Sequence, residues 1–485
     1  MLATLIQKEL KNILLSPKFV ATFAVCSILL LLSVYVGIQE YQVASRHYDT
    51  AAQLVSQELR QQSQWISLNN RTYRKPDPMQ IFVSGIQNDI GRWSSVNQLE
   101  PVKLRHSAYS DDPIFALFRF IDFSFITQVV LSLFAFLFTY NAVNGERESG
   151  TLALTFSNSV PRARYLVAKL VGSWLGLIVP LLVPIGLMLL LLDVFRIPLD
   201  AEHWFQLLAL LGVSMLYVTF FIALGLLAST LTRRSNVSFL LCLVAWVLFV
   251  LILPRISAII AGHAIPVPTI AEVEARQDAY AKDRWESHKQ ELEQRLRERQ
   301  SAMANMSKEK REEYENDHMW NWMEDDDAKR RQMQKEVDAF GVVLQEDLRS
   351  RRATQERLAF TLSRFSPASA YQLAVMDIGG TDIGLKTRYE DAIRSYRTTF
   401  NNYTQQKQKE SGGTGGMRIT VDTDKGVSID TPREKGTLNL TDVPQFDPPH
   451  RVFIFPVVDI TILLVAALIA FAGSFVGFLR YDVRS

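Results

Sequence analysis

The chain has 485 residues, 48% hydrophobic and 21% charged, with a formal net charge of +2. So small a charge, with no basic stripe interleaved with aromatics, argues against nucleic acid as a partner. Its two cysteines, Cys26 and Cys242, both fall inside apolar runs, which excludes a disulfide framework and makes them small core residues.

A mean hydropathy of +0.06 hides a strong segregation. Apolar residues gather toward the two ends and charged residues fill a long central block. That is the pattern of a mainly α, polytopic membrane protein carrying an inserted aqueous domain.

Residues 1–18 hold Leu5, Ile6, Leu10, Ile13 and Leu14 at helical spacing, with Lys8, Glu9 and Lys11 elsewhere around the helix. Such a segment lies along a membrane surface. The run 19–38, FVATFAVCSILLLLSVYVGI, carries no charge and is as long as a bilayer core requires, roughly 20 residues. It is long for a signal-peptide core and no small-x-small cleavage site follows, so it reads as an uncleaved first span. Residues 39–122 begin with an amphipathic stretch, Tyr41 to Gln64, and end turn-rich, with no fold assigned.

The second span covers 123–143 and leads into a polar loop, 144–169. The third covers 170–192; Pro180 and Pro184 each remove a backbone hydrogen bond there, which makes them a candidate hinge. Spans at 204–231, 237–260 and 453–479 complete a set of six, followed by a tail, 480–485.

An even number of spans puts both termini on one side. Lys8, Lys11 and Lys18, then Arg147, Arg162, Arg164 and Lys169, then Arg233 and Arg234, then Arg480 and Arg484 all fall on that side. The short loop on the other side, Asp193 to His203, sets Arg196 against Asp193, Asp200 and Glu202. This bias places the termini in the cytoplasm and makes 39–122 and 261–452 external.

Within the larger external segment, Thr269 to Arg357 is rich in Glu, Lys, Arg, Gln and Ala, the composition of a long solvated helical hairpin with one narrow packed face. The run MWNWM, Met319 to Met323, is expected at a bend. There Trp320 and Trp322 are candidate contacts for a partner, a lipid surface or a substrate, as an alternative to simple packing. The run SGGTGG at 411–416 is a flexible linker by composition. Two alternating runs at 417–431, around Asp424, Lys425 and Gly426, predict a β-hairpin.

The chemistry-bearing motifs are missing. There is no GxxxxGK[ST] phosphate loop, no HExxH, no CxxC and no GxSxG, and the seven histidines are scattered singly. The chain is therefore expected to be no enzyme and to bind no metal or cofactor of its own. Ionisable residues near the spans are few: Asp122, Asp459 and Arg255. They read as interfacial groups that pair or snorkel rather than as a proton relay, with Asp459 and Arg255 a candidate intramembrane pair at similar depth.

Three stretches carry a resemblance. LIQKELKNILLSPKF (Leu5 to Phe19) looks like an elbow helix, and ERESGTLALTFSNSVPRARYLVAKLVG (Glu146 to Gly172) like an acidic turn, a Gly-Thr-Leu step, a short helix and a proline-arginine step into a span. RFSPASAYQLA (Arg364 to Ala374) follows the insertion. Together these resemble the permease subunits of ABC-2-type transporters with a large external domain between the fifth and sixth spans.

The resemblance implies a bacterial inner-membrane, multi-pass exporter or extractor subunit. It would pair with a second permease, identical or homologous, and with two copies of a cytoplasmic ATP-binding subunit, which would hold the ATP and Mg. It implies further that the 144–169 loop is the coupling element, formed by Glu146, Arg147, Glu148, Ser149, Gly150, Thr151, Leu152, Arg162 and Arg164. Glu146 and Glu148 would bond donors on the ATPase or cap the short helix, Gly150 would permit a tight turn and Thr151 would cap it. Arg162 and Arg164 would meet lipid phosphates or acidic groups of the partner. A competing expectation is a mechanotransmission subunit that drives a periplasmic partner and moves no solute.

Overall fold

A computed structural model describes residues 2–61, 68–97, 104–105, 121–157, 160–304, 306–410, 418–422, 426–430, 443–448, 453 and 455–480. The 411–416 linker and the tail beyond Arg480 lie outside them. The chain divides into two compact units, Met1–Ile252 with Ser366–Ser485, and Leu253–Phe365. The 261–452 segment is thus not one body: its first part is a unit of its own, and the rest folds with the spans.

In lipid an apolar stretch can bond its backbone only to itself, so uncharged runs fold as helices. Among the described residues six are long and apolar enough to cross a membrane. In the first unit a short helix α1 (Leu2–Leu14) precedes α2 (Pro17–Gln61). The second span, α3, runs through Phe123–Phe125, a π-helical stretch Ile126–Leu131 and Ser132–Thr139. Two short helices follow, α4 (Asn144–Glu148) and α5 (Thr151–Ser157). Then come α6 (Arg162–Val194), α7 (Ala201–Leu231) and α8 (Ser235–Trp246), the last continuing into a second π-helical stretch, Val247–Ile252. Both Pro180 and Pro184 lie inside α6, which remains one helix across them.

The 45 residues of α2 form a single helix, roughly 68 Å long at 1.5 Å per residue, about twice a bilayer core. The amphipathic stretch after Ile38 is therefore the continuation of the first span rather than a separate element. Beyond it β1 (Asn70–Tyr73) and β2 (Trp93–Val96) pair antiparallel, Asn70 opposite Val96 and Tyr73 opposite Trp93.

The second unit contains α9 (Leu253–Ala264), α10 (Ile270–Met303) and α11 (Lys308–Ser363). A capping box at Thr269 and Glu272 starts α10, each side chain accepting from the other residue's backbone amide. The two long helices pack through a narrow apolar face, with Val273, Met303, Met333 and Val337 buried and Tyr280 stacked on Phe340 at 4.1 Å between ring centroids. Ion pairs flank it: Arg284 with Glu336, Arg295 with Asp326 at 2.6 Å, and Arg299 with Asp326 at 3.2 Å. This is the expected solvated hairpin, but its first helix ends at Met303, its second begins at Lys308, and the MWNWM run lies within α11. No bend occurs there, because nothing in that run interrupts a helix. Trp322 lies under the Arg299 guanidinium at 4.8 Å and near the His318 ring; the side chain of Trp320 lies outside the described residues.

After the hairpin the chain rejoins the first unit as α12 (Pro367–Gly379) and α13 (Gly384–Glu410). Ser366 caps α12, proline occupies its first turn, and Gly380 at φ 71° ends it. This helix packs among α7, α14 (Val457–Leu479) and both π-helical stretches. Tyr371 is wholly buried, stacked on Tyr217 at 4.4 Å, with its hydroxyl 3.0 Å from that of Ser214. Carbonyls freed by the π geometry find donors here: Tyr217 donates to Gln128 O at 2.9 Å and the Ser366 hydroxyl to Phe249 O.

α13 closes over the β1–β2 pair through Leu68, Val96, Ile393, Tyr396 and Phe400. Asn70 donates to the Tyr396 hydroxyl at 2.6 Å, which donates to Pro444 O at 2.7 Å. Burial pushes the Tyr396 phenol up to about 12, so it stays a neutral donor. The described residues of 39–122 and of the stretch after Ser366, separate in sequence, belong to one folded unit. The expected hairpin is present as β3 (Arg418–Asp422) and β4 (Gly426–Asp430), with Arg418 opposite Asp430.

Candidate functional site

α1, α4, α5, the start of α6 and the end of α14 meet at the end of the bundle that carries the termini. The polar loop there is built from its turn outward. α4 ends at Glu148 with Ser149 as its cap, and Gly150 takes φ 71°, donating its amide to Arg147 O at 2.9 Å. Nothing lies within 4 Å of where a Gly150 Cβ would stand, so its requirement is backbone conformation, not space. The Ser149 and Thr151 hydroxyls both donate to Glu146 O at 3.2 Å, satisfying a carbonyl the short helix leaves open. Thr151 therefore closes α4 and is the first residue of α5.

The two acidic side chains are committed within the chain. Glu146 Oε1 accepts from Lys169 Nζ at 3.0 Å and from Lys8 Nζ at 3.1 Å, and its Oε2 accepts from the Tyr165 hydroxyl at 2.7 Å. Lys169, only 5% exposed, also donates to Glu9 Oε2 at 2.6 Å. Two lysines and two carboxylates thus form one charge-balanced cluster joining α1, α4 and α6. Glu148 serves the start of α8: it accepts from the Ser235 amide at 2.9 Å and the Ser235 hydroxyl at 2.6 Å. Position Arg234, where an accepting side chain would ordinarily stand, has none to offer.

Arg162 is likewise engaged, donating to Leu479 O at 2.7 Å at the C-terminus of α14, where a cation is favoured. Arg164 is exposed and Arg147 partly buried. Leu152, 2% exposed, anchors α5 in a small core with Val143, Val160, Leu166 and Phe478, while Phe156, Tyr165 and Phe478 pack ring on ring. Thr151, Ala153 and Leu154 face outward, Leu154 at 67% exposure.

The sequence reading did not single out Lys169 as buried, nor Glu9 or Leu154. A signal for the first two exists in Gly172 and Gly176, a GxxxG pair on which α1 lies. A Cβ at Gly172 would stand 2.6 Å from Glu9 Cβ, and one at Gly176 3.1 Å from Ile13. The signal for Leu154 is spacing: two residues from Leu152 on a helix, it cannot share the buried face that Phe156 does share.

Of the remaining candidates, Asp459 is buried at 2% exposure in the first turn of α14, where a carboxylate is favoured, and Arg255 is exposed. Asp122 caps α3, accepting from Phe125 N at 2.8 Å, and holds Ser84 through its amide at 2.9 Å and its hydroxyl at 2.8 Å. Among the described residues no group of three or more His, Cys, Asp or Glu is placed to hold a metal.

Six apolar helices, with a polar loop pinned at one end of the bundle, define a multi-pass membrane protein of the permease kind. The family model described as ABC-2 family transporter protein matches residues 3–483, and the chain belongs to that family. It is a membrane-spanning transport component of the type that associates with an ATP-binding subunit. No curated protein matches the chain.

Proposed function

We propose that the chain is the permease subunit of an ATP-driven exporter or extractor in a bacterial inner membrane, with both termini cytoplasmic. It would pair with an identical or homologous permease and with two ATP-binding subunits that hold the ATP and Mg. The α4–α5 loop is the coupling element. The observation that carries this is a division of labour: α5 turns Leu154 outward while its base is tied to three other helices and through one of them to a fourth. Lys169, Glu9 and Lys8 tie it to α6 and α1, Ser235 to α8, and Arg162 ties the foot of α6 to α14. A partner that grips the outer face of α5 moves all of them together. On this reading Leu154, Thr151 and Arg164 touch the ATPase, and Glu146, Glu148 and Arg162 transmit.

Leu154→Asp tests the docking face, since an exposed side chain can change without unfolding the helix. The expected result is a loss of at least tenfold in affinity for the ATP-binding subunit, the scale of an interface hot spot. Undiminished copurification and full ATPase stimulation by the permease would overturn the assignment. A mechanotransmission role has one observation in its favour: Leu253–Phe365 is a compact helical unit of its own, a form suited to engaging a periplasmic protein.

A further inference from the structure

At the end of the bundle away from the termini, a cavity of about 410 Å³ opens between α2 and the turn that ends α6. Its walls are Tyr41, Gln42, Ser45 and Arg46 on one side and Phe195, Arg196, Ile197 and Pro198 on the other. That volume is within the range of small-molecule sites, roughly 300–1,000 Å³. The turn has the hydrogen bonds of a Schellman motif: Arg196 N bonds Asp193 O at 2.9 Å and Ile197 N bonds Leu192 O at 3.0 Å. The left-handed position of such a turn is ordinarily glycine, yet here an arginine stands at φ 52°.

The left-handed residue finishes the helix through its backbone, and its side chain takes no part in that. The amides of Phe195, Arg196 and Ile197 already serve its last carbonyls, and Gln42 Nε2 reaches Phe195 O at 3.4 Å. The guanidinium is thus spare. Among the described residues the Arg46 side chain, eight residues past Ile38 on the same helix as Tyr41, bonds only its own helix, through Nε to Gln42 O at 3.3 Å. Among the described residues neither arginine has a carboxylate within 4.0 Å. Two arginines with no described carboxylate at ion-pair distance flank a cleft whose apolar floor is Phe195, Ile197, Pro198 and the Tyr41 ring.

Position decides the ligand. The apolar run of α2 ends at Ile38 and that of α6 at Val194, so the cleft sits within about two turns of where both leave the bilayer core. Guanidinium groups bind phosphate oxygens in a fork geometry, and a phospholipid headgroup presents such oxygens at this depth in either leaflet. We propose that this cleft binds the phosphate of an anionic phospholipid from the leaflet opposite the termini, Arg46 and Arg196 taking the phosphate and the apolar floor the glycerol end of the chains.

The test compares the full-length protein with Arg46→Gln, Arg196→Gly and the double variant in nanodiscs of mixed phosphatidylglycerol and phosphatidylcholine, counting retained lipid by native mass spectrometry. The wild type is expected to retain phosphatidylglycerol preferentially, each substitution to weaken that preference about fivefold and the double variant to abolish it. Arg196→Gly relaxes its backbone, so its thermal unfolding should stay at or above wild type and lost lipid cannot be ascribed to lost fold. No headgroup preference in the wild type, or an undiminished preference in the double variant, would overturn the proposal. So would inorganic phosphate that binds with the same dependence on both arginines and displaces no lipid, since the site would then serve a soluble anion.

Discussion

The two ends of the bundle are held together by different physics. At the end with the termini, α1, α4 and α6 meet through four charges, two of them buried as Lys169 and Glu9. At the other, α12 meets α3, α7 and α8 through stacked rings and hydroxyls, Tyr371 on Tyr217 with Ser214 and Ser366 alongside. A buried ion cluster fails abruptly: remove one member and the rest are left as uncompensated charge in a low dielectric. A stacked, apolar contact fails by degrees, because each atom lost removes only its own share of packing. The difference suits the proposed roles, one end transmitting force as a unit and the other keeping a helix seated while spans shift around it.

Lys169→Met is the sharpest way to break this contrast. It leaves Glu9 and Glu146 facing each other with Lys8 alone beside them, and is expected to cost about 3–5 kcal/mol in reversible unfolding by denaturant. Adding Glu9→Gln and Glu146→Gln removes the stranded charges and should return part of that loss, so the effects are not additive. A triple variant less stable than the single one would show that shape rather than charge holds this end. Tyr371→Phe is the milder counterpart. Ser214 keeps its bond to Leu210 O at 2.7 Å and the ring keeps its stack, leaving about 1 kcal/mol for the missing hydroxyl. If Tyr371→Phe costs as much as Lys169→Met in the same titration, the two ends do not differ as described.

How far the sequence reveals these ends follows the same division. The six spans are legible because lipid imposes a run of apolar residues on each, and the α10–α11 hairpin because its cap and helix-forming composition are local. The loop at Glu146 is legible as a polar interruption, but the partners of its carboxylates are not. Lys169 reads equally well as a topology-setting surface charge until Glu9, 160 residues earlier, is placed beside it. The same limit hides the joint body made by Asn70 and Tyr396, 326 residues apart, and the seat of α12 inside the bundle. Periodicity reports what a residue's own helix needs, and these contacts belong to other helices. The MWNWM run shows the converse: a bend is expected there, yet bends come from glycine, proline and caps, and the run has none, so the helix continues through it.

The smallest effect belongs to the turn itself. Gly150→Ala places a side chain where there is open space, so packing against neighbours has no part in its cost. What remains is the left-handed backbone at φ 71°, worth about 1 kcal/mol for a residue with a Cβ. Gly150→Asn, which tolerates that conformation better, should lose less. Both variants should keep the Lys169 cluster intact and differ from wild type chiefly in how α5 is aimed. ATPase stimulation should therefore fall further for alanine than for asparagine, while unfolding shifts little for either. If Gly150→Ala proves as destabilising as Lys169→Met, the turn is a structural member of the charged end rather than the adjustable mount of its docking helix, and the separation of docking from transmission fails.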